Sequence, residues 1–228
     1  GFTIVELDGS TEVDESGSTD TFTVVLDAQP TSNVVISLSS NDGSEISIPS
    51  SLTFTTANWD TPQTVTVTGV DDSIIDGTIT STITVAVDDA NSDDDFDAIA
   101  DQTVSVDTTD DDVAGFTIVE LDGSTEVDES GTTDTFTVAL NAQPASDVVI
   151  SLASDDTGEA TVTSTLSFTP ANWDTPQTVT VTGADDTAID STQTSTITIS
   201  IIDAISDNSF DAVADQTVSV DTTDDDVA

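Results

Sequence analysis

The chain has 228 residues, of which 46 are Asp or Glu and none is Lys, Arg or His, giving a formal net charge of -46. This composition excludes side-chain salt bridges, and it makes nucleic acid and anionic membrane surfaces repulsive partners. The absence of Cys excludes disulfides and thiolate metal sites. No stretch approaches the roughly 18 apolar residues that a membrane span needs, so membrane insertion is not expected.

The predicted elements are short β-strands. Residues rich in Val, Ile, Thr and Phe alternate with a period of two, and turn residues separate the segments, which is typical of strands. Seven such strands in about half the chain predict an all-β fold, a seven-stranded Greek-key β-sandwich with immunoglobulin-like architecture. In chain order they are Phe2–Val5, Thr21–Leu26, Val34–Leu38, Ser51–Phe54, Thr64–Val67, Thr80–Val87 and Thr103–Val106.

The second half of the chain repeats the first. Gly1–Gly17 recurs letter for letter as Gly115–Gly131, and Ala57–Gly69 recurs as Ala171–Gly183. The join, DDDVA, runs into the second copy without the Pro-, Gly- or Ser-rich spacer of a flexible linker, so closely abutted domains with restricted hinge motion are expected. The predicted domains, two tandem sandwiches, are residues 1–114 and 115–228.

Four groups of acidic residues lie between the predicted strands and recur in both copies. Because loops at alternate strand ends of a sandwich converge on one pole, these groups are expected to lie together. Two carboxylates about 5 Å apart repel by roughly 3 kcal/mol at an effective dielectric near 20, so a cation is needed. Calcium accepts about six to eight oxygen ligands, whereas magnesium keeps several waters and is the weaker candidate. The lack of His and Cys argues against zinc, copper and iron.

The acidic segments also resemble the sequence pattern of a known domain family. The segments VDESG, NDG, VDDSIIDG and TDDDVAGFTIVE resemble the Calx-β domain in order and spacing, over nearly all of each copy. That family is named for the regulatory calcium-binding region of sodium/calcium exchangers and also occurs in very large bacterial surface proteins. The resemblance implies a seven-stranded sandwich with calcium ions clustered at one pole.

The resemblance also implies a ligand set, carried over by position. In the first copy the implied calcium ligands are Glu15, Asp42, Asp71, Asp72, the carbonyl of Ile74, Asp76, Asp110, Asp111 and Asp112. In the second copy they are Glu129, Asp156, Asp185, Asp186, the carbonyl of Ala188, Asp190, Asp224, Asp225 and Asp226. Where the exchanger domain has further acids after the position of Asp76, this chain has Gly77, Thr78 and Ile79, so fewer ions or weaker binding is expected.

A second acidic stretch leaves two interpretations open. Asp89, Asp93, Asp97 and Asp101 recur in the second copy, whereas Asp94 and Asp95 do not. The stretch is either a further calcium site or a solvated loop capped by its own side chains.

The aromatic residues are expected in the core. Trp59 and Trp173 lie beside predicted strands, where a Trp more often covers one end of a core than stacks on a sugar. Phe22, Phe54 and Phe136 follow the strand alternation.

The sequence therefore predicts calcium-stabilised structural spacer repeats, with no enzymatic activity, in a large secreted or cell-surface bacterial protein such as an adhesin. The expected partners are neighbouring repeats of the same chain. The expected ion is calcium, and calcium of the extracellular medium would fill the sites. Two alternatives from other classes stay open: a calcium-regulated module that binds carbohydrate or protein, and a subunit of a surface filament or layer.

Overall fold

The computed structural model describes residues 1–7 and 9–227, and among these the regular structure is β-strand apart from 3₁₀ turns of three residues. No helix in this part of the chain is long and apolar enough to cross a membrane. The chain divides into two compact units. The first comprises Gly1–Asp72 and Asp76–Asp111, and the second comprises Ser73–Ile75 and Asp112–Ala228.

Within residues 1–7 and 9–227, each copy of the repeat forms nine strands. Those of the first copy are β1 (Phe2–Glu6), β2 (Thr11–Asp14), β3 (Thr19–Leu26), β4 (Val34–Ser40), β5 (Ile46–Ser47), β6 (Ser51–Phe54), β7 (Gln63–Gly69), β8 (Ile79–Val87) and β9 (Gln102–Thr109). Those of the second copy are β10 (Phe116–Glu120), β11 (Thr125–Asp128), β12 (Thr133–Leu140), β13 (Val148–Ser154), β14 (Ala160–Val162), β15 (Thr165–Phe168), β16 (Gln177–Gly183), β17 (Gln193–Ile201) and β18 (Gln216–Thr223). All seven predicted strands are present, and the structure adds the short strands β2 and β5.

The strands of the first copy form two sheets, in the orders β1-β3-β7-β5 and β2-β9-β8-β4-β6, and the second copy repeats both orders. Every pair is antiparallel except β2 with β9, and β11 with β18, which are parallel. Strands β1 and β2 belong to different sheets, so the chain crosses between the sheets in the turn that contains Gly9. The φ of Gly9 is +87°, a value that suits glycine.

Alternating residues of both sheets face inward and form one core in each copy. In β3, for example, Phe22, Val24 and Leu26 are buried while the residues between them are partly exposed. The core predictions for the aromatic residues are confirmed. Phe22, Phe54 and Phe136 are fully buried, and Trp59 and Trp173 are partly buried and pack against the cores.

Candidate metal centre

Parallel pairing of β2 with β9 fixes the first part of the acidic pole. Asp14 at the end of β2 lies opposite Thr109 at the end of β9, and the next residue, Glu15, donates its backbone N–H to the Thr109 carbonyl at 3.1 Å. Glu15 and Asp110 therefore directly follow two strands that end side by side. In the second copy the Glu129 N–H donates to the Thr223 carbonyl at the same distance of 3.1 Å.

Strands β5 and β7 bring a further acid to the same pole. Ile46 pairs with Gly69, and the Val70 N–H donates to the carbonyl of Glu45 at 2.9 Å. Glu45 therefore lies beside the start of the acidic loop that follows β7. Gly69 also lets the end of β2 lie close to the end of β7, because a Cβ at this position would lie 1.9 Å from the Asp14 carbonyl oxygen.

In the second unit, two groups of three carboxylates share Glu129. One group is Glu129, Asp224 and Asp226, and the other is Glu129, Glu159 and Asp190. Within each group, one oxygen from each residue lies within 4.8 Å of the others. Two ligands on opposite sides of a calcium ion, each about 2.4 Å from it, are about 4.8 Å apart, so both groups have the size that the ion requires.

The first unit contains the counterpart of the second group. Glu15, Glu45 and Asp76 each offer an oxygen within 4.8 Å of the other two. Glu15 also lies within that distance of a carboxylate oxygen of Asp72. The central glutamate therefore faces acids on more than one side, as Glu129 does.

The central glutamates are buried, and their carboxylates have no hydrogen-bond partner in the part of the chain that the structure describes. Glu15 is 1% exposed and Glu129 is 0% exposed, and both carboxylate oxygens of each lack a hydrogen bond. Glu45 and Glu159 are also buried, and Oε2 of each lacks a partner. Because the chain has no basic side chain, no protein group other than the terminal amine can neutralise these carboxylates.

Burial and mutual repulsion raise the pKa values at this pole. Burial, followed by the charges of Asp72, Asp76 and Asp110, raises the pKa of Glu15 to about 7. Burial and then the charge of Asp186 likewise raise the pKa of Glu129 to about 7. The pKa values of Glu45, Asp76, Glu159 and Asp226 are also raised, in each case first by burial. The pole is therefore an oxygen-only site that lacks positive charge.

The sequence-predicted ligands do not all belong to these groups. Asp42 instead accepts from the N–H and hydroxyl of Ser44, at 3.1 and 2.6 Å, and Asp156 accepts from the Gly158 N–H at 3.0 Å. Asp110 accepts from the Gly77 N–H at 2.9 Å, and Asp186 accepts from the Ala188 N–H at 2.6 Å. The predicted ligands Ile74 and Asp112 belong to the second compact unit. Asp71, Asp111, Asp185 and Asp225 belong to none of the groups found among residues 1–7 and 9–227.

Sequence reasoning missed Glu45 and Glu159. A signal was present, because each stands three residues after a predicted ligand, Asp42 or Asp156, at equivalent positions of the two copies. Neither is part of the ligand pattern that the Calx-β resemblance supplied.

In the second acidic stretch, Asp93 has hydrogen-bond donors from the protein itself. Asp93 is buried and accepts from the N–H and hydroxyl of Thr31, the N–H of Ser32 and the N–H of Asp95, at 2.6 to 3.1 Å. These hydrogen bonds lower its pKa to about 2. Within the described part of the chain, neither Asp93 nor the nearby Asp97 joins a group of three close carboxylates.

No family model matches the chain, and no curated protein does. Among solved structures, the calcium binding domain CBD12 of CALX1.1 is 14% identical with a TM-score of 0.36, over 87% of this chain and 80% of that one. The apo-form Calx CBD1 domain is 15% identical with a TM-score of 0.37, over 50% of this chain and 100% of that one. Domains 1–6 of surface layer protein SbsC are 14% identical with a TM-score of 0.40, over 98% of this chain and 28% of that one. Likenesses this remote say nothing about what this chain binds, and membership of the Calx-β family stays a prediction.

Proposed function

We propose that the two repeats are calcium-stabilised structural modules. The observation that carries the proposal is the burial of Glu15 and Glu129, whose carboxylates have no protein partner at the centre of an acidic pole. A buried carboxylate without a partner is strongly unfavourable, and a bound cation supplies the missing partner.

The donor chemistry favours calcium over other cations. The acids of these groups offer carboxylate oxygens, and hard cations prefer such ligands. Calcium tolerates irregular geometry, whereas magnesium demands a near-ideal octahedron and keeps its waters. In the second unit Glu129, Glu159, Asp190, Asp224 and Asp226 would hold the ion or ions.

Cation binding at this pole would support the whole sandwich. The acids follow or precede the ends of β2, β5, β7 and β9, which belong to both sheets. An ion held among them links the two sheets at one end and removes the repulsion between them. This role is structural, and it requires no catalytic group.

We further propose that the repeats serve as spacers in a large secreted or cell-surface protein such as an adhesin, where adjoining repeats are the partners. Near-identical copies joined without a Gly- or Ser-rich segment support this role, since a spacer gains length by adding modules. Extracellular calcium would keep even weak sites filled.

Calorimetry of the full chain tests calcium stabilisation. Each filled site contributes roughly 2.7 kcal/mol at a hundredfold excess of calcium over the dissociation constant, so chelator should lower the melting temperature by about 15 °C or more. Magnesium at the same concentration should restore less of the loss. Identical transitions in calcium and in chelator would refute the proposal.

Small-angle scattering tests the spacer role separately. At a temperature where both repeats are folded in chelator, we expect calcium to narrow the distribution of chain dimensions, because an ion bound at the acidic pole of a repeat would order the acidic residues that close that repeat. If calcium does not change the distribution, the repeats are calcium-stabilised domains joined by a flexible linker, and the spacer role is refuted.

A further inference from the structure

We propose that the Asp76–Gly77 peptide is a site of spontaneous covalent modification, at which Asp76 rearranges to isoaspartate when the acidic pole of the first repeat holds no cation. The rearrangement itself requires only this chain and water, whereas its suppression by calcium rests on the proposed function. The equivalent pair in the second repeat is Asp190–Ser191, where a serine stands in place of the glycine. The two repeats therefore provide an internal comparison.

The reaction joins the Asp76 side chain to the backbone nitrogen of Gly77. The nitrogen attacks the side-chain carboxyl carbon, an N–C bond forms, and one carboxyl oxygen leaves as water with the amide proton and a proton from solvent. The product is a cyclic imide. Water then opens the ring at the backbone carbonyl of Asp76, which becomes a free carboxylate as a proton is released, and the chain now continues through the side-chain carbon. The protein is neither oxidised nor reduced, so no co-reactant is needed.

The surroundings of Gly77 leave this peptide open to the reaction. Asp76 and Gly77 are both exposed, so water reaches the bond that hydrolysis must attack. Gly77 has a φ of +76°, and among the described residues beyond its chain neighbours no atom lies within 4 Å of the position that a Cβ would take. Because glycine has no side chain and moves readily between backbone conformations, its nitrogen can approach the carboxyl carbon.

Two contacts at the acidic pole hold the reacting groups apart. The Gly77 N–H donates to Oδ2 of Asp110 at 2.9 Å, which occupies the nitrogen that would attack. A carboxylate oxygen of Asp76 lies within 4.8 Å of oxygens of Glu15 and Glu45, where a shared cation would hold it. Without a cation these acids repel one another, and the chain has no basic side chain to replace the ion. The Asp76 carboxyl group can then turn from the pole toward the Gly77 nitrogen.

The second repeat has the same hydrogen bonding but a different residue after the acid. The N–H groups of Asp190 and Ser191 both donate to Oδ2 of Asp224, at 3.0 and 3.1 Å. Ser191 has a φ of 69°, in the region that favours glycine. Its side chain crowds the nitrogen that would attack Asp190, so the reaction is slower in the second repeat. Protection of a proposed ligand gives a reason for a serine at this strained position.

Isoaspartate would remove a proposed ligand from the first repeat permanently. The rearrangement adds a carbon to the main chain and takes one from the side chain, so the carboxylate of Asp76 no longer lies beside Glu15. A first repeat that has been without calcium for a long time should therefore fail to regain its site when calcium returns. The second repeat should regain its own.

The test exchanges the two residues in the full chain, with Gly77→Ser in one variant and Ser191→Gly in the other. Both variants and wild type are aged in heavy-oxygen water at constant pH, in calcium or in chelator. The chain has no Lys or Arg for trypsin, so it is then cleaved after glutamate, which places the two sites in separate fragments, 46–120 and 160–228. Tandem mass spectrometry locates the isoaspartate and the incorporated heavy oxygen in each fragment.

Calcium should slow the modification of Asp76 in wild type by about tenfold or more, because at a hundredfold excess over the dissociation constant only about one pole in a hundred lacks an ion. In chelator, Gly77→Ser should remove most of the isoaspartate at Asp76. Ser191→Gly should make Asp190 react in chelator about as fast as Asp76 does in wild type.

The Asp122–Gly123 peptide is the control for effects of calcium that do not involve the pole. Both residues are exposed in a turn, and within the described part of the chain Asp122 belongs to none of the groups of close carboxylates. Its modification should proceed at the same rate in calcium and in chelator. A calcium effect of equal size at Asp122 and Asp76 would overturn the inference.

The remaining outcomes separate this inference from the proposed function. If Asp76 forms no isoaspartate in chelator, the inference fails whether or not calcium binds. If Asp76 reacts equally fast in both conditions while titration calorimetry shows bound calcium, the inference fails and the proposed function stands. Equal rates without calcium binding refute both. If Asp190 in Ser191→Gly reacts as slowly as in wild type, the inference also fails, because the following residue then does not control the reaction.

Discussion

Replacing Glu15 by glutamine should change stability in opposite directions with and without calcium. In chelator the substitution removes a buried charge that has no partner. In calcium it removes a ligand from the proposed site. A residue that serves only the fold would lower stability in both conditions, so the reversal of sign is specific to a cation ligand.

The size of the effect follows from the distances at the pole. Carboxylate oxygens of Glu45, Asp72 and Asp76 lie within 4.8 Å of Glu15. Each pair repels by about 3.5 kcal/mol at an effective dielectric near 20, and salt screens this repulsion only weakly because Glu15 is buried. Because the neighbours can also move apart, we expect a net gain of about 2 kcal/mol in chelator, or about 8 °C in melting temperature.

Calcium should reverse this gain. At a thousandfold excess over the dissociation constant, one site contributes about 4 kcal/mol, which exceeds the 2 kcal/mol of relieved repulsion by about 2 kcal/mol. The Glu15→Gln variant should therefore melt about 8 °C below wild type in calcium. The matched control is Glu12→Gln, which removes an exposed carboxylate that accepts a hydrogen bond from the Ser10 hydroxyl.

The pH dependence in chelator gives an independent readout. The folded-state pKa of Glu15 is raised to about 7 from 4.5, so its contribution to stability is fully present below about pH 4.5 and is lost as the pH rises through about 7. Wild type should melt lower at pH 8 than at pH 5, and Glu15→Gln should narrow that difference. Melting curves by circular dichroism, with and without calcium at both pH values, suffice. If Glu15→Gln melts below wild type in chelator at pH 8, the reasoning is refuted, because the charge of Glu15 then does not destabilise the folded protein.

Three further substitutions test the fold. Asp93→Ala removes the acceptor of the hydrogen bonds from Thr31, so it should lower the melting temperature of its repeat by about 5 °C or more. The number of bound calcium ions should not change, and a loss of calcium would indicate that the loop of Asp93 is a calcium site. Ser191→Gly replaces a residue at a φ of 69° and should stabilise by about 1 kcal/mol in urea unfolding, and no gain would mean that the turn is unstrained. Gly69→Ala places a Cβ 1.9 Å from the Asp14 carbonyl oxygen and should destabilise by about 3 kcal/mol, whereas a neutral effect would show that the two strand ends can separate freely.

Sequence alternation predicted the long strands because their burial is set by local pattern. Strand β3 shows this, since every second residue from Phe22 to Leu26 is buried. Strands β2 and β5 were not predicted, because their short segments show no clear alternation and are held by pairing with β9 and β7. The partner of β2 is β9, about 95 residues later.

In the candidate site, too, some residues could be predicted from local sequence and others depend on strand pairing. Glu15 and Asp76 could be proposed from the sequence because their strings resemble a known pattern. Glu45 was missed, because its place at the pole depends on the pairing of Ile46 with Gly69, and the recurrence of a glutamate three residues after Asp42 and Asp156 does not by itself reveal that register. Asp42 was proposed as a ligand, but its own turn supplies hydrogen-bond donors, from Ser44.

The parallel pairing of β2 with β9 bears on how a repeat would respond to mechanical force. Tension that reaches β2 through β1 would pull Thr11 toward the N-terminus and Thr109 toward the C-terminus, so β2 and β9 would be drawn past each other along their length. Their hydrogen bonds are then loaded together in shear, whereas an antiparallel terminal pair pulled from one end would open one bond at a time. A cation held by Glu15 and its neighbours, directly beyond the end of these hydrogen bonds, would strengthen the pairing of β2 with β9. The effect would be reversible, because the surrounding calcium concentration sets how often the site is filled.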